Sequence, residues 1–163
     1  MKIGDLGTIK MNNNLQMVIN PSGTSLKYGT TIFRVGDKVM QIKNNYDKDV
    51  FNGDTGIITD VNEELRMLTV QYKNKEVFYE QKDFDELILA YASTIHKSQG
   101  SEYDIVVIPI LQEHYVMLQR NLIYTAITRA KKICVLIGDE RMIRIGVDKM
   151  VVNKRLTTLK EQL

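Results

Sequence analysis

Two stretches of the chain carry residue types that could do chemistry. Tyr91–Asp104 reads YASTIHKSQGSEYD and gathers Thr94, His96, Lys97, Ser98, Gln99 and Glu102 around a single glycine, Gly100. Hydroxyls, an imidazole, an ammonium group and a carboxamide on one loop suit a polar or phosphate-bearing ligand better than they suit a mere connector. The bland alternative is a solvated link between two strands. The second stretch, Asn121–Lys132, reads NLIYTAITRAKK. Leu122, Ile123, Ala126 and Ile127 recur at helical spacing and are read as one core-facing stripe. Arg129 follows at the end of that helix and has two readings. It is either a helix C-terminal cation favoured by the macrodipole, as Lys131 and Lys132 are, or a phosphate contact, for which a planar, permanently charged guanidinium is well shaped.

Other chemistries find little support. His96 and His114 are the two histidines and Cys134 the single cysteine, so no cluster has metal-ligand spacing and the expected metal set is none. Asp83, Asp85 and Glu86 read as a solvated acidic face. No G-x-x-x-x-G-K-[ST] phosphate loop occurs. Asp139–Glu140 follows the second stretch, on the wrong side of it for an acidic pair holding Mg²⁺. Gly36–Asp37–Lys38 and Asn52–Gly53–Asp54 read as turns. The 163 residues are 44% apolar and 26% charged, with a net charge of +2, as in a globular domain whose nucleic-acid contacts, if any, are local. Cys134 lies in the apolar run Ile133–Ile137 and is expected to be a small core residue in a reducing compartment. MKIGDLGTIK has no signal-peptide core, and no run reaches the roughly 18–20 apolar residues of a membrane span. These features predict a cytoplasmic protein with no membrane partner.

The elements that must position these residues fall into three textures. In residues 1–33, Leu15, Met17, Val18 and Ile19 predict a helix ending at Asn20–Pro21, preceded by an Asn- and Gly-rich loop and followed by a connector, SGTSLKYGT. Residues 34–86 turn to short strands: Met40 and Ile42 in alternation, Gly56–Val61, and a hairpin of Met67–Tyr72 with Glu76–Glu80 about Lys73–Asn74–Lys75. Several short strands solve their edge problem by closing, which predicts a small SH3-like β-barrel. Residues 87–163 alternate strands and helices. Leu87–Ala92, Ile105–Leu111 and Ile133–Gly138 read as strands buried on both faces. Gln119–Ala130, a helix through Met142 capped by Asp139–Glu140, and Asn153–Leu163 read as helices. The fold class is α/β, a parallel sheet with an inserted barrel.

Taken in order, IHKSQGSEYDIVVIP and NLIYTAITRAKKICVLIGD resemble motifs V and VI of superfamily-one DNA helicases of the RecD/TraA type, similar to the exodeoxyribonuclease V alpha subunit. FRVGDKVMQIKNNYDKDVFNGDTGII is similar to the barrel those helicases insert, and GDLGTIKMNNNLQMVINP to their motif IV region. The resemblance covers almost the whole chain. It implies a second RecA-like motor domain in residues 1–33 and 87–163, with the SH3-like barrel at 34–86. It implies that Arg129 is an arginine finger, that Gln99, Gly100 and Glu102 lie on the nucleotide side, and that Thr94, His96 and Ser98 approach single-stranded DNA. Asn44, Asn45 and Tyr46 of the barrel would touch the strand. Arg120 is a second cleft contact or a surface helix residue. The implied cofactors are ATP with Mg²⁺, held mainly by an N-terminal RecA-like domain that this sequence lacks, so the chain is expected to be a fragment without ATPase activity of its own. The implied partners are single-stranded DNA, that missing domain and subunits of a nuclease complex. The alternative is a nucleic-acid- or partner-binding module in which the barrel works without ATP.

Overall fold

A computed structural model describes residues 7–149, which divide between Lys97 and Ser98 into two compact units. The predicted helix at Asn153–Leu163 lies outside the described residues.

In the first unit, helix α1 (Thr8–Ile19) is followed by strands β1 (Ser25–Tyr28), β2 (Thr31–Arg34), β3 (Lys38–Gln41), β4 (Thr55–Asn62), β5 (Met67–Gln71), β6 (Glu76–Glu80) and β7 (Leu87–Leu89), with a single 3₁₀ stretch at Gln81–Glu86 before β7. β1 and β2 form a hairpin, and the other five make an antiparallel sheet in the order β6-β5-β4-β3-β7. The predicted turn at Lys73–Lys75 is there, with the Tyr72 N–H donating to the Lys75 carbonyl at 2.8 Å. Between Ile58 and Asp60 the pairing of β4 with β5 slips, a bulge that bends the strand around the core. That core joins Leu26 and Phe33 of the hairpin to Val39, Ile58, Leu68, Val70, Tyr79, Phe84, Leu87 and Leu89.

Four expectations are corrected here. SGTSLKYGT is not a connector: Ser25–Tyr28 pairs residue for residue with Thr31–Arg34. Leu87–Leu89 is not a strand of the parallel sheet, because it pairs antiparallel with Lys38–Gln41 and closes the edge of the barrel sheet. The barrel core therefore draws on residues 26–89 rather than on 34–86 alone. Helix α1 begins at Thr8, inside the stretch read as an Asn-rich loop, and four of its apolar residues are exposed, Val18 at 79% with Ile9, Met17 and Ile19, while Met11 and Leu15 are half-buried. Its inward face is polar instead, built from Asn12, Gln16 and Asn20 at i, i+4 and i+8, of which Asn12 and Gln16 are buried and Asn20 half-buried.

In the second unit, β8 (Tyr103–Ile110) and β9 (Ala130–Gly138) pair in parallel, joined by helix α2 (Arg120–Ile127), and helix α3 (Glu140–Asp148) follows. The Asp139 carboxylate caps α3 by accepting from the Arg141 N–H at 2.8 Å, the predicted start of that helix. Ile123 and Ala126 of α2 are buried as the helical stripe requires, whereas Ile127 is exposed. α2 and α3 meet closely at Gly146, where a Cβ would lie 2.5 Å from Ile123 Cδ1. Gly138 ends β9 with φ +143° and a Cβ there would sit 1.8 Å from the Ile110 carbonyl oxygen, so only glycine fits. The strands are less covered than predicted. Ile108 and Ile110 are buried, but Ile105, Val107, Ile133, Val135, Leu136 and Ile137 are exposed, and Cys134 is an exposed thiol rather than a core one. A parallel pair needs a layer on each face, and the described residues of this unit supply two short helices.

Among the described residues, no helix is long and apolar enough to cross a membrane.

Candidate functional site

The loop from Tyr91 to Asp104 starts in one unit and ends in the other, so its residues fall into two groups. In the first unit, β7 gives way to the loop after the Ala90 N–H donates to the Lys38 carbonyl at 2.8 Å. Beyond that point the backbone would lose its sheet partners. Asn12 of α1 replaces them: its Nδ2 donates to the Ala92 carbonyl and its Oδ1 accepts from the Ala92 N–H, both at 2.8 Å. Thr94 Oγ1 then accepts from the Lys97 N–H at 3.3 Å, which opens the turn spanning residues 95–100. His96 projects from that turn, exposed.

Asp37, read from sequence as part of a turn, is wholly buried. Both of its carboxylate oxygens accept two hydrogen bonds. Oδ1 accepts from Asn20 Nδ2 at 2.7 Å and the Tyr91 hydroxyl at 2.8 Å, and Oδ2 accepts from Gln16 Nε2 at 2.5 Å and the Arg34 N–H at 2.7 Å. Burial, and then the bond to Asp37, push the Tyr91 hydroxyl up to about 12. Gly-Asp looked like turn punctuation, and nothing local distinguishes a solvated turn aspartate from one enclosed by a helix.

On the barrel, the Asn44–Phe51 loop is closed by an isolated bridge between Asn45 and Val50. The side-chain oxygens of Asn44 and Asn45 accept from nearby backbone, and Asn45 also reaches Glu86. Asn44 Oδ1 accepts from the Asn52 N–H at 2.9 Å, while Asn45 Oδ1 accepts from the Lys48 N–H at 3.1 Å and its Nδ2 donates to Glu86 at 3.0 Å. Lys75 braces the loop from the side by bonding the Asp49 carboxylate at 2.8 Å. Tyr46 stands out at 76% exposed, with Phe51 edge-on against it at 6.0 Å between ring centres. Phe51 escaped the sequence reading, although an aromatic bordering the Asn52–Gly53–Asp54 turn was a usable signal. Behind the loop, the Tyr72 hydroxyl meets that of Tyr79 at 2.7 Å, Tyr79 donates to Gln41 at 2.9 Å, and Gln41 donates to Glu86 at 2.8 Å. Burial pushes Tyr72 up to about 12 and Tyr79 further.

In the second unit, the turn that began at residue 95 ends at Gly100, whose φ of +84° favours glycine and whose Cβ position is open. Ser98 is buried and its carbonyl accepts from the Ser101 N–H at 3.1 Å; Gln99 is exposed. Arg129 sits just past α2, and the Tyr103 N–H bonds its carbonyl at 2.8 Å. Its guanidinium folds over the helix end: Nε donates to the Thr125 carbonyl at 3.2 Å, Nη1 to the Ser101 carbonyl at 3.2 Å, and Nη2 to the Thr128 hydroxyl at 3.3 Å. Arg129 and the Ser101–Glu102 end of the loop are therefore brought together. Lys131 and Lys132 do not cap the helix as expected. They reach across the strand pair to Glu102 at 3.3 Å and to Asp104 at 2.8 Å. Arg120 ties α2 to the end of α3 through the Val147 carbonyl at 2.6 Å.

The chemistry of this second group fits a nucleotide. Arg129 has no carboxylate partner among the described residues, and its acceptors are neutral and distant. A phosphate oxygen would make shorter, charge-assisted bonds with it. Glu102 is exposed and could accept from a sugar hydroxyl. No group of three His, Cys, Asp or Glu side chains among the described residues could hold a metal ion.

Comparison with known proteins bears on the barrel and on the strand pair. Residues 11–72 match the family described as the ATP-dependent RecD-like DNA helicase SH3 domain, and residues 89–137 match the UvrD-like helicase C-terminal domain. The chain is 37% identical over 131 residues to the ATP-dependent RecD2 DNA helicase of Deinococcus radiodurans, covering 80% of this chain and 18% of that protein. It is 31% identical over 129 residues to the RecBCD enzyme subunit RecD of Mycolicibacterium smegmatis, covering 79% of this chain and 22% of that subunit. It thus spans about a fifth of the length of these relatives. A Bacteroides Pif1 helicase crystallised with ADP-AlF3 and single-stranded DNA shares the fold, with a TM-score of 0.64 at 19% identity over 94% of this chain and 42% of that one. The SH3-like barrel, the parallel strand pair and both matches lead to one assignment: the chain belongs to the superfamily-one DNA helicases of the RecD type, of which it carries the SH3-bearing C-terminal part.

Proposed function

We propose that this chain is the C-terminal motor half of an enzyme that couples ATP hydrolysis to movement along single-stranded DNA and to duplex unwinding. The observation that carries the reading is Arg129, a guanidinium fixed at a helix end, adjoining Glu102's loop and without a carboxylate partner among the described residues. ATP with Mg²⁺ would supply the phosphoryl group whose charge needs such a cation. The remaining Mg²⁺ and phosphate contacts would come from an N-terminal RecA-like domain. Arg129 would stabilise charge on the transferring oxygens, an effect on the order of 10³–10⁵ in rate for arginine fingers. Glu102, with Gly100 and Gln99 beside it, would orient the sugar.

Thr94, His96 and Ser98 would meet the phosphates of the strand. On the barrel, Tyr46, 76% exposed, would meet its bases, with Asn44 and Asn45 beside it, whose side chains already bond Asn52 and Glu86. Exposed aromatic rings stack on any base, which suits a motor that reads no sequence. Residues 1–24 and 90–163 would belong to the second motor domain, with the barrel as its insertion. DNA as substrate is supported by the RecD2 relative, named a DNA helicase, its single-stranded form by the Pif1 structure that holds it, and company with other subunits by the relatives named as RecD of a RecBCD enzyme.

The test is Arg129→Ala in the full-length protein. DNA-stimulated ATP turnover should fall by roughly 10³-fold or more while single-strand binding, read by fluorescence anisotropy, is retained. Normal turnover in that variant would sink the assignment. Arg129→Lys should rescue little, because a lysine lacks the planar fork.

A further inference from the structure

The Asp37 cluster ties α1 to the barrel through polar bonds where apolar side chains of the same helix were available. α1 could have buried Ile9, Val18 and Ile19 against the first unit, yet these are exposed and the helix presents Asn12, Gln16 and Asn20 instead. Each of those amides ends on backbone or on Asp37: Asn12 on both polar groups of Ala92, Gln16 on the Ile32 carbonyl and Asp37, Asn20 on the Val35 carbonyl and Asp37. A buried carboxylate with all four acceptor positions filled is directional in a way that an apolar contact is not. Two consecutive residues, Tyr91 and Ala92, are gripped by this cluster, one through its hydroxyl and one through its backbone. They stand two and three residues before Thr94, and His96 lies two residues further on.

We propose that Asp37 and Asn12 are positioning residues: the clamp they make on Tyr91 and Ala92 fixes where the following loop starts and thereby sets the reach of Thr94 and His96 to single-stranded DNA. This rests on the reading of Thr94 and His96 as DNA contacts. The physical basis is preorganisation. A loop held at its root loses less conformational freedom when the ligand arrives, so the clamp contributes to affinity without touching the strand. The chemistry past Ser98 does not depend on it.

The experiment uses the full-length protein with Tyr91→Phe and Asn12→Ala, each removing hydrogen bonds while keeping most of the packing, and Asp37→Asn as a harsher variant. Thr94→Ala with His96→Ala serves as the reference for lost DNA contacts. The measurements are the dissociation constant for a fluorescein-labelled oligothymidylate, the DNA concentration giving half-maximal ATP turnover, the turnover at saturating DNA, and the melting temperature. Tyr91→Phe and Asn12→Ala should each raise the first two by about three- to tenfold, as for the loss of a single hydrogen bond or two, with turnover at saturating DNA within about twofold of the parent. A purely structural role would lower the melting temperature without that split between DNA affinity and turnover, and such a result overturns the proposal. If the reference variant loses DNA affinity while Tyr91→Phe and Asn12→Ala do not, the clamp is refuted and the contact assignment stands. If the reference variant binds normally, the contact assignment fails and the clamp proposal with it.

Discussion

Residues 25–89 and residues 103–138 are both built from strands rich in Val, Ile and Leu, yet they hide those side chains to opposite degrees. In the first region Val39, Ile58, Leu68 and Val70 are wholly buried; in the second Ile105, Val107, Ile133 and Ile137 are each at least half exposed. The difference follows from how the strands pair. Antiparallel strands joined by short turns can curl over a core of their own, and β7 returns to pair with β3. A parallel pair has a helical crossover between its strands, leaves both outer edges open and presents two faces, each needing a layer. The barrel core is thus closed by its own strands, whereas the strand pair keeps apolar side chains exposed among the described residues.

Core truncation offers the largest test of that contrast. Leu68→Ala should destabilise the first unit by about 2–5 kcal/mol in chemical denaturation. Val107→Ala, at a side chain 56% exposed, should change stability by no more than about 0.5 kcal/mol. Equal losses from the two would erase the distinction. The second test is Gly138→Ala, which places a Cβ against the Ile110 carbonyl. It should cost about 1–3 kcal/mol, in the range for a strained backbone, and be confined to the second unit. Hydrogen exchange would then speed up in residues 103–148 and stay slow in the barrel strands; loss of protection in both would mean the units unfold together.

The smallest effect is the response to alkali. Tyr72 and Tyr91 are held neutral by burial to about pH 12, above the ordinary tyrosine value near 10. Between those values the unfolded chain releases protons that the folded chain retains, so stability present below pH 10 declines as pH rises towards 12. The second unit has no such buried tyrosine among its described residues. Barrel signals should therefore weaken first in an alkaline titration, and Tyr72→Phe should flatten the decline. An unchanged slope in that variant would remove Tyr72 from the account.

What the sequence determined by itself was whatever is written locally. Helix α2 followed from the spacing of Ile123 and Ala126, the hairpin from the polar turn between β5 and β6, and the cap of α3 from Asp139. The family was legible from two motifs in order, and Arg129 was singled out because a guanidinium after an apolar helix needs a reason. What only tertiary structure decided was which partner each segment takes. Leu87–Leu89 has the composition of a buried parallel strand and becomes the closing edge of the barrel. Cys134 sits in an apolar run and is exposed. Asn44 and Asn45 read as loop polar residues and turn out to bond Asn52, Lys48 and Glu86. Asp37 looks like a turn residue and becomes the acceptor for four donors drawn from α1, the β2–β3 turn and the start of the loop. Periodicity records which face of an element is apolar. Burial and hydrogen-bond partners come from residues 15 to 80 positions away, as for Asn20 with Val35 and Asn12 with Ala92, and no local pattern encodes them.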